Sequence, residues 1–301
     1  MIRLRLSVEL SYDVAPPGCD VIFNVHAAHT SHQRVATEMM EISQFLLPQV
    51  HTDVATGNRY MRVKAEAGGL RLRYSATVEV RHHRAVPDGI HEVPVSQLPT
   101  GALIYLYPSR YCQSDRLYDM ARQTFGHLLP GYARVQAICD WVRAHVKFQS
   151  ATSTASTSAL DTLRDKVGVC RDFAHLMIAL CRALNIPARF ATGIDYGADA
   201  TLGPHDFHAY VEVFLGDRWY LFDPSGTAIP MGLMRFGTGR DAADVSFATL
   251  FGTVNAAPPR IDITAIEDAA TGALLPWRCP DALSTDDGIG MLVGTRLVSA
   301  V

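Results

Sequence analysis

Apolar and polar residues alternate at the start of the chain: Ile2, Leu4, Leu6, Val8 and Leu10 fall on one side of a strand, with charges among the residues between them. Segments 21–25, 35–42 and 60–65 read as further strands separated by polar turns. After a Gly68-Gly69 turn, Leu70, Leu72, Tyr74, Ala76, Val78 and Val80 share a single face. Short strands at this spacing, each with one wet side, predict a small β-sandwich over residues 1–95. Pro94, Pro99 and Pro108 then punctuate a linker, 96–113. Beyond it the period becomes helical. One helix starts after Ser114, where Asp115 suits the positive end, and Pro130-Gly131 interrupts the pattern. Val135, Ile138, Val142 and Val146 stripe a second helix beside Trp141. The polar run 150–158 ends in Ser158, which with Asp161 predicts a capping box for a short helix, 159–166.

The most strongly apolar helix follows. Phe173, Met177, Leu180 and Leu184 recur at helical spacing, so one face is buried; Asn185 can close the helix in a left-handed conformation and Pro187 cannot continue it. Cys170 lies in its first turn, where unpaired N–H groups and the macrodipole favour an anion and so raise the thiolate fraction of a thiol. Downstream, His208 opens a run in which Tyr210, Glu212 and Phe214 alternate with Val211, Val213 and Leu215, a half-buried strand. Gly216-Asp217 turns it, and the return strand from Arg218 brings Asp223 back toward His208. Thiol, imidazole and carboxylate are the nucleophile, base and orienter of cysteine acyl transfer.

The stretches GVCRDFAH, RALNIPARFATG and HAYVEVFLGDRWYLFDPS, with the order Cys, His, Asp, resemble the transglutaminase-like superfamily of papain-type cysteine enzymes, in particular bacterial members with an N-terminal β domain. The specific motifs lie between 160 and 226. The resemblance implies an α+β protein: an antiparallel β-sandwich followed by a papain-like core in which the Cys-bearing helix packs on an antiparallel sheet. It matches Cys170 to the nucleophile, His208 to the base and Asp223 to the third member. Asn185 stands where such proteins usually have glycine, and Tyr210 where they often have tryptophan; neither touches the triad. The expected organisation is a sandwich at 1–95, the linker, a catalytic core at 114–250 and a segment at 251–301, with Trp277 and Leu292 to Val298, packing back on the core.

Around this triad, the backbone N–H of Cys170 is the natural oxyanion donor, and Gln149 is the candidate side chain for a second. Trp141 is assigned to helix packing, although related enzymes use a tryptophan indole there. Asp172 complements the helix dipole and is expected to point away from the sulfur or to pair with Arg171 or Arg189. Asp206 fixes the loop before His208, and Tyr210 completes the supporting set. His205, the rival base, is expected in an exposed loop; His175 and Cys181 are structural. Residues 230–244 read as an irregular loop lining the cleft, and 247–266 contain strand-like pieces.

With 301 residues, 48% hydrophobic and 19% charged, the chain is an ordinary globular one, and a net charge of −3 offers no electrostatic case for nucleic acid or an anionic membrane. No apolar run approaches the ~20 residues of a membrane span. The opening MIRLRLSVELSY reads as a strand rather than a signal peptide. Cysteines 19, 112, 139, 170, 181 and 279 show no framework spacing, which predicts reduced thiols in the cytoplasm. His26, His29 and His32, and the set Cys170, His175, Cys181, His205 and His208, lack metal-motif spacing. Asp195, Asp199, Asp286 and Asp287 fall in no calcium loop, so no metal or cofactor is expected. The expected partner is a peptide or protein amide, attacked by Cys170 to give a thioester that water (protease or amidase) or an amine (transglutaminase) resolves. Its rivals are a catalytically inactive peptide-binding module of the same fold and a Cys/His metalloprotein.

Overall fold

The computed structural model describes residues 1–202 and 205–287; Leu292 to Val298, expected to pack on the core, lie outside the described residues. Six strands come first: β1 (Ile2–Val14), β2 (Cys19–Phe23), β3 (Gln33–Ile42), β4 (Gln49–Thr52), β5 (Arg59–Ala65) and β6 (Gly68–Val80). Strands β1 and β6 pair antiparallel along their whole lengths, from Ile2 opposite Val80 to Val14 opposite Gly68. The alternation in both sequences puts Leu4, Leu6, Val8, Leu72, Tyr74 and Val78 into one buried layer. The two glycines predicted as a turn begin β6 instead.

A short strand β7 (His83–Ala85) leads into the linker, which carries one helical turn, α1 (Thr100–Leu103). The predicted helix after Ser114 starts as a 3-10 turn and becomes α2 (Tyr118–Phe125). Then come α3 (Tyr132–His145), the two-residue strand β8 (Lys147–Phe148), α4 (Ala159–Asp165), β9 (Val167–Gly168) and α5 (Cys170–Ala183). The capping box at α4 forms, with the Ser158 N–H donating to Asp161 at 3.1 Å. Helix α5 is not buried on one face only. Residues 172–183 are all buried, because α2, α3 and α4 cover the side turned away from the sheet. Asn185 closes it at a φ of +61°.

The sheet of the core consists of β10 (Ala188–Asp195), β11 (Phe207–Leu215), β12 (Arg218–Phe222) and β13 (Leu233–Gly239), in the antiparallel order β12-β11-β10-β13. Two readings are corrected here. Strand β11 is buried on both sides: Ala209, Val211 and Val213 join the cluster around α5, while on the other side Tyr210 meets Asp195 and Glu212 meets two arginines. Part of the segment expected as an irregular loop, 230–244, is β13, also buried on both faces. Its sequence LMRFGTG shows no alternation because neither side is wet, and Arg235 hides among carboxylates.

The following segment departs most from expectation. Strands β14 (Ala248–Phe251), β15 (Val254–Ala256) and β16 (Arg260–Ala265) join the N-terminal sandwich: β14 pairs with β2, and β15 and β16 pair with the free side of β1. A 13-residue strand in mid-sheet needs hydrogen-bond partners on both sides, and these strands supply them. Beyond them, β17 (Ala282–Ser284) pairs with β7 beside the core, and Trp277 lies under the Arg84 guanidinium.

Candidate functional site

Cys170 is the first residue of α5, held there by its own helix. Asp172 accepts the N–H of Val169 at 2.9 Å and the hydroxyl of Ser153 at 2.9 Å, with Arg171 3.7 Å away. Its carboxylate thus closes the helix start, paired with Arg171, as one of the two expected arginines. Gly168 makes this closure possible, since a Cβ there would come within 2.7 Å of the Asp172 Cβ. Strands β8 and β9 run parallel just before, and the N–H of Gln149 donates to the Gly168 carbonyl at 2.9 Å. Gln149 is exposed and does not line the cleft, which leaves the Cys170 N–H as the expected donor the structure keeps beside the sulfur.

The half-buried Cys170 sulfur lies 3.9 Å from the carbonyl oxygen of Phe207, the residue before His208. The His208 ring is buried between the thiol and the carboxylate of Asp223. Its Nε2 is 3.5 Å from Asp223 Oδ1, leaving Nδ1 as the nitrogen available to the sulfur. Burial alone would lower the His208 pKa; the neighbouring sulfur and Asp223 outweigh it and hold the pKa well above the ordinary value. Asp223 is itself clamped: Oδ1 accepts the Ser225 N–H at 3.0 Å and its hydroxyl at 2.6 Å, and Oδ2 accepts the Ala228 N–H at 3.1 Å. Burial works against the carboxylate, yet these donors and His208 keep its pKa below the usual range. Helix tip and hairpin therefore bring Cys170, His208 and Asp223 together.

The other candidate residues lie at varying distances from these three. Tyr210, expected not to touch the triad, instead sets its ring edge-on to His208, with centroids 4.7 Å apart, because the two share one stretch of β11, and its hydroxyl donates to Asp195. Asp195 is the residue that sequence reasoning left without a role here. A single carboxylate at a strand end carries no motif, and it is the pairing of β10 with β11 that brings it to Tyr210. Asp206 is exposed and accepts the N–H of the next residue, Phe207, at 2.7 Å. His205 is half-buried and lines the cleft rather than standing exposed. His175 is fully buried, stacked on Tyr111, and its Nε2 accepts the Ala242 N–H at 3.2 Å. Trp141 packs edge-on against Phe125 and stacks on His145.

Among the described residues no group of three or more His, Cys, Asp or Glu side chains is placed to hold a metal ion, and no helix is long and apolar enough to cross a membrane. His26 packs on Tyr74, and His32 pairs with Asp287 at 2.6 Å. Asp286 engages Arg189 and Arg235.

A cleft of about 790 Å³ opens over the sulfur and imidazole. A papain-like core with a cysteine at a helix start and histidine and aspartate on a hairpin defines a cysteine-type fold. Comparison with known proteins agrees. Residues 2–101 match the bacterial transglutaminase N-terminal domain, and residues 118–224 match the core of the transglutaminase-like superfamily. A solved structure from Cytophaga hutchinsonii, described as a candidate cysteine protease, is similar with a TM-score of 0.85 at 35% identity, over 94% of this chain and 97% of that one. The chain belongs to the transglutaminase-like superfamily, in its bacterial form with an N-terminal β domain. An uncharacterized protein of Mycobacterium leprae is 32% identical over 117 residues, 37% of this chain, and one of Mycobacterium bovis is 31% identical over 143 residues, 44% of this chain. The chain spans less than half the length of these relatives, 42% and 46% respectively.

Proposed function

We propose that this protein is a cysteine-dependent hydrolase of peptide or related amide bonds, with Cys170 as nucleophile, His208 as acid and base, and Asp223 as the orienter of the imidazole. The observation that carries the reading is the buried His208 ring set between sulfur and carboxylate, in an environment that favours its protonated form. An imidazolium beside the sulfur is the partner a thiolate needs. The thiolate attacks the amide carbonyl, and the oxyanion meets the helix-start N–H groups, chiefly that of Cys170. The C–N bond breaks as His208 gives its proton to the leaving amine, which leaves a thioester. His208 then takes a proton from water, which attacks the thioester, and the acid departs with the thiol restored.

Water is favoured over an amine as acceptor because the rim residues Ser150, Asp206 and Pro258 are exposed, so solvent reaches the sulfur. The six free cysteines fit a reducing compartment such as the cytoplasm. The test is substoichiometric alkylation with iodoacetamide near neutral pH, located by peptide mapping, alongside turnover of peptide amides. Cys170 should be labelled first and Cys170→Ala should abolish turnover. Preferential labelling of Cys279, or peptide binding without turnover in the intact protein, would overturn the reading in favour of a binding module.

A further inference from the structure

One wall of the cleft is aromatic. The Phe207 ring, on the residue whose carbonyl oxygen lies 3.9 Å from the Cys170 sulfur, stacks parallel on Phe247, with centroids 4.2 Å apart and planes 5° from parallel. Both rings are half-buried and both line the cleft, so the pair forms a ledge that is neither sealed in the core nor free in solvent. Phe236 braces Phe207 edge-on from behind, at 6.1 Å. Phe190 and Val245 also line the cleft, and Pro258 and Pro259 extend the apolar rim.

Several polar side chains of the same cleft are already hydrogen-bonded. Ser153 gives its hydroxyl proton to Asp172, Ser246 donates to the Ala242 carbonyl at 3.0 Å, and Thr227 shares a hydrogen bond with Ser225 at 2.8 Å. Arg171 is bound to Ser153 and to the Thr154 carbonyl. The carboxylates at the rim, Asp199 and Asp206, would repel an acidic side chain. Beside these committed groups, with Ser150, Thr192 and His205 as the remaining polar lining, an aromatic ring finds a face to stack on and apolar surface to leave water for.

We infer that this ledge is a subsite for a large apolar side chain, aromatic by preference, flanking the amide bond that is cleaved. The inference rests on the proposed role of Cys170. It also gives the N-terminal domain a part in substrate choice. Phe247 immediately precedes β14 and Pro258-Pro259 immediately precede β16, so half of the subsite hangs from strands woven into the sandwich.

The experiment compares inactivation rates of Cys170 by acetyl-Phe-Gly, acetyl-Gly-Phe and acetyl-Gly-Gly chloromethyl ketones, each divided by the iodoacetamide rate on the same protein. In each case the thiolate displaces chloride and a C–S bond replaces C–Cl. At least one phenylalanine probe should react about tenfold or more faster than the glycine probe. Phe247→Ala should bring that ratio close to one, and Phe247→Tyr should keep it. If Phe247→Ala does not fold, Phe247→Leu, which is apolar but has no ring, should lower the ratio severalfold. Equal rates for all three probes, or a ratio indifferent to position 247, overturn the subsite while leaving iodoacetamide reactivity intact. Failure of iodoacetamide itself to modify Cys170 overturns the proposed function, and the subsite with it.

Discussion

The hydroxyl of Tyr210 donates to Asp195, a carboxyl with 1% of its surface exposed, and the same tyrosine ring leans on His208. Burial raises the Asp195 pKa to about 6, against the lowering influence of Tyr210, His208 and two backbone N–H groups. A carboxyl whose pKa is raised by folding stabilises the fold below its unfolded pKa and loses that contribution as pH rises through the folded value. Between about pH 4 and pH 6 the protein should therefore lose about 3 kcal/mol from this group. Asp195→Asn should flatten that slope, as read by denaturant titrations at several pH values. An unchanged slope would show that Asp195 stays ionised throughout.

Asp223 should govern the alkaline limit of turnover. In the proposed reaction His208 must carry a proton to release the leaving amine, and its pKa is held well above the ordinary histidine value, so activity should persist well above pH 6.5. Asp223→Asn removes a negative charge and should move that limb to lower pH while cutting kcat/KM by about 10²-fold or more, the scale of a lost acid–base contribution. A pH–rate profile of wild type and variant decides it.

Gly168→Ala is a test of the helix start. The new Cβ would meet Asp172 at 2.7 Å and its Oδ2 at 3.0 Å, displacing the carboxylate that holds the Val169 N–H. A loss of about 1–3 kcal/mol in stability is expected, together with slower alkylation of Cys170. Alkylation at the wild-type rate would mean that the sulfur is positioned without this clamp.

The two arginines on the far side of the core sheet form a buried network. Glu212 pairs with Arg189 at 2.5 Å and with Arg235 at 2.8 Å, and Asp286 reaches both. Arg235→Ala leaves carboxylate charge in a dry site, and unfolding titrations should show a loss of about 3–5 kcal/mol. Arg235→Met, which keeps the volume, should not restore it while Glu212 remains charged.

What the sequence reveals depends on whether an element has two unlike sides. Strands β1 and β6 do, and their alternation placed most of the residues these two strands bury. The Cys170 helix and the hairpin were legible because caps, turn and spacing are local. Strand β13 was not: with glycines, an arginine and both faces dry, LMRFGTG carries no period, and only its pairing with β10 defines it. Asp195 escaped notice for a similar reason, since its partner Tyr210 is 15 residues away and touches it across the β10–β11 ladder. The pairing of 254–265 with β1 is a contact between distant parts of the chain, which no window of local pattern can report.

That last pairing also orders events during synthesis. Strand β1 can find β6 once some eighty residues have emerged, but its other edge stays open until residue 265 leaves the ribosome. Throughout that interval the nascent sandwich presents a long bare template of amide and carbonyl groups, the kind that recruits stray strands. Chaperone capture of stalled nascent chains should accordingly be strongest for lengths that end before β16 and fall away once that strand is free to dock.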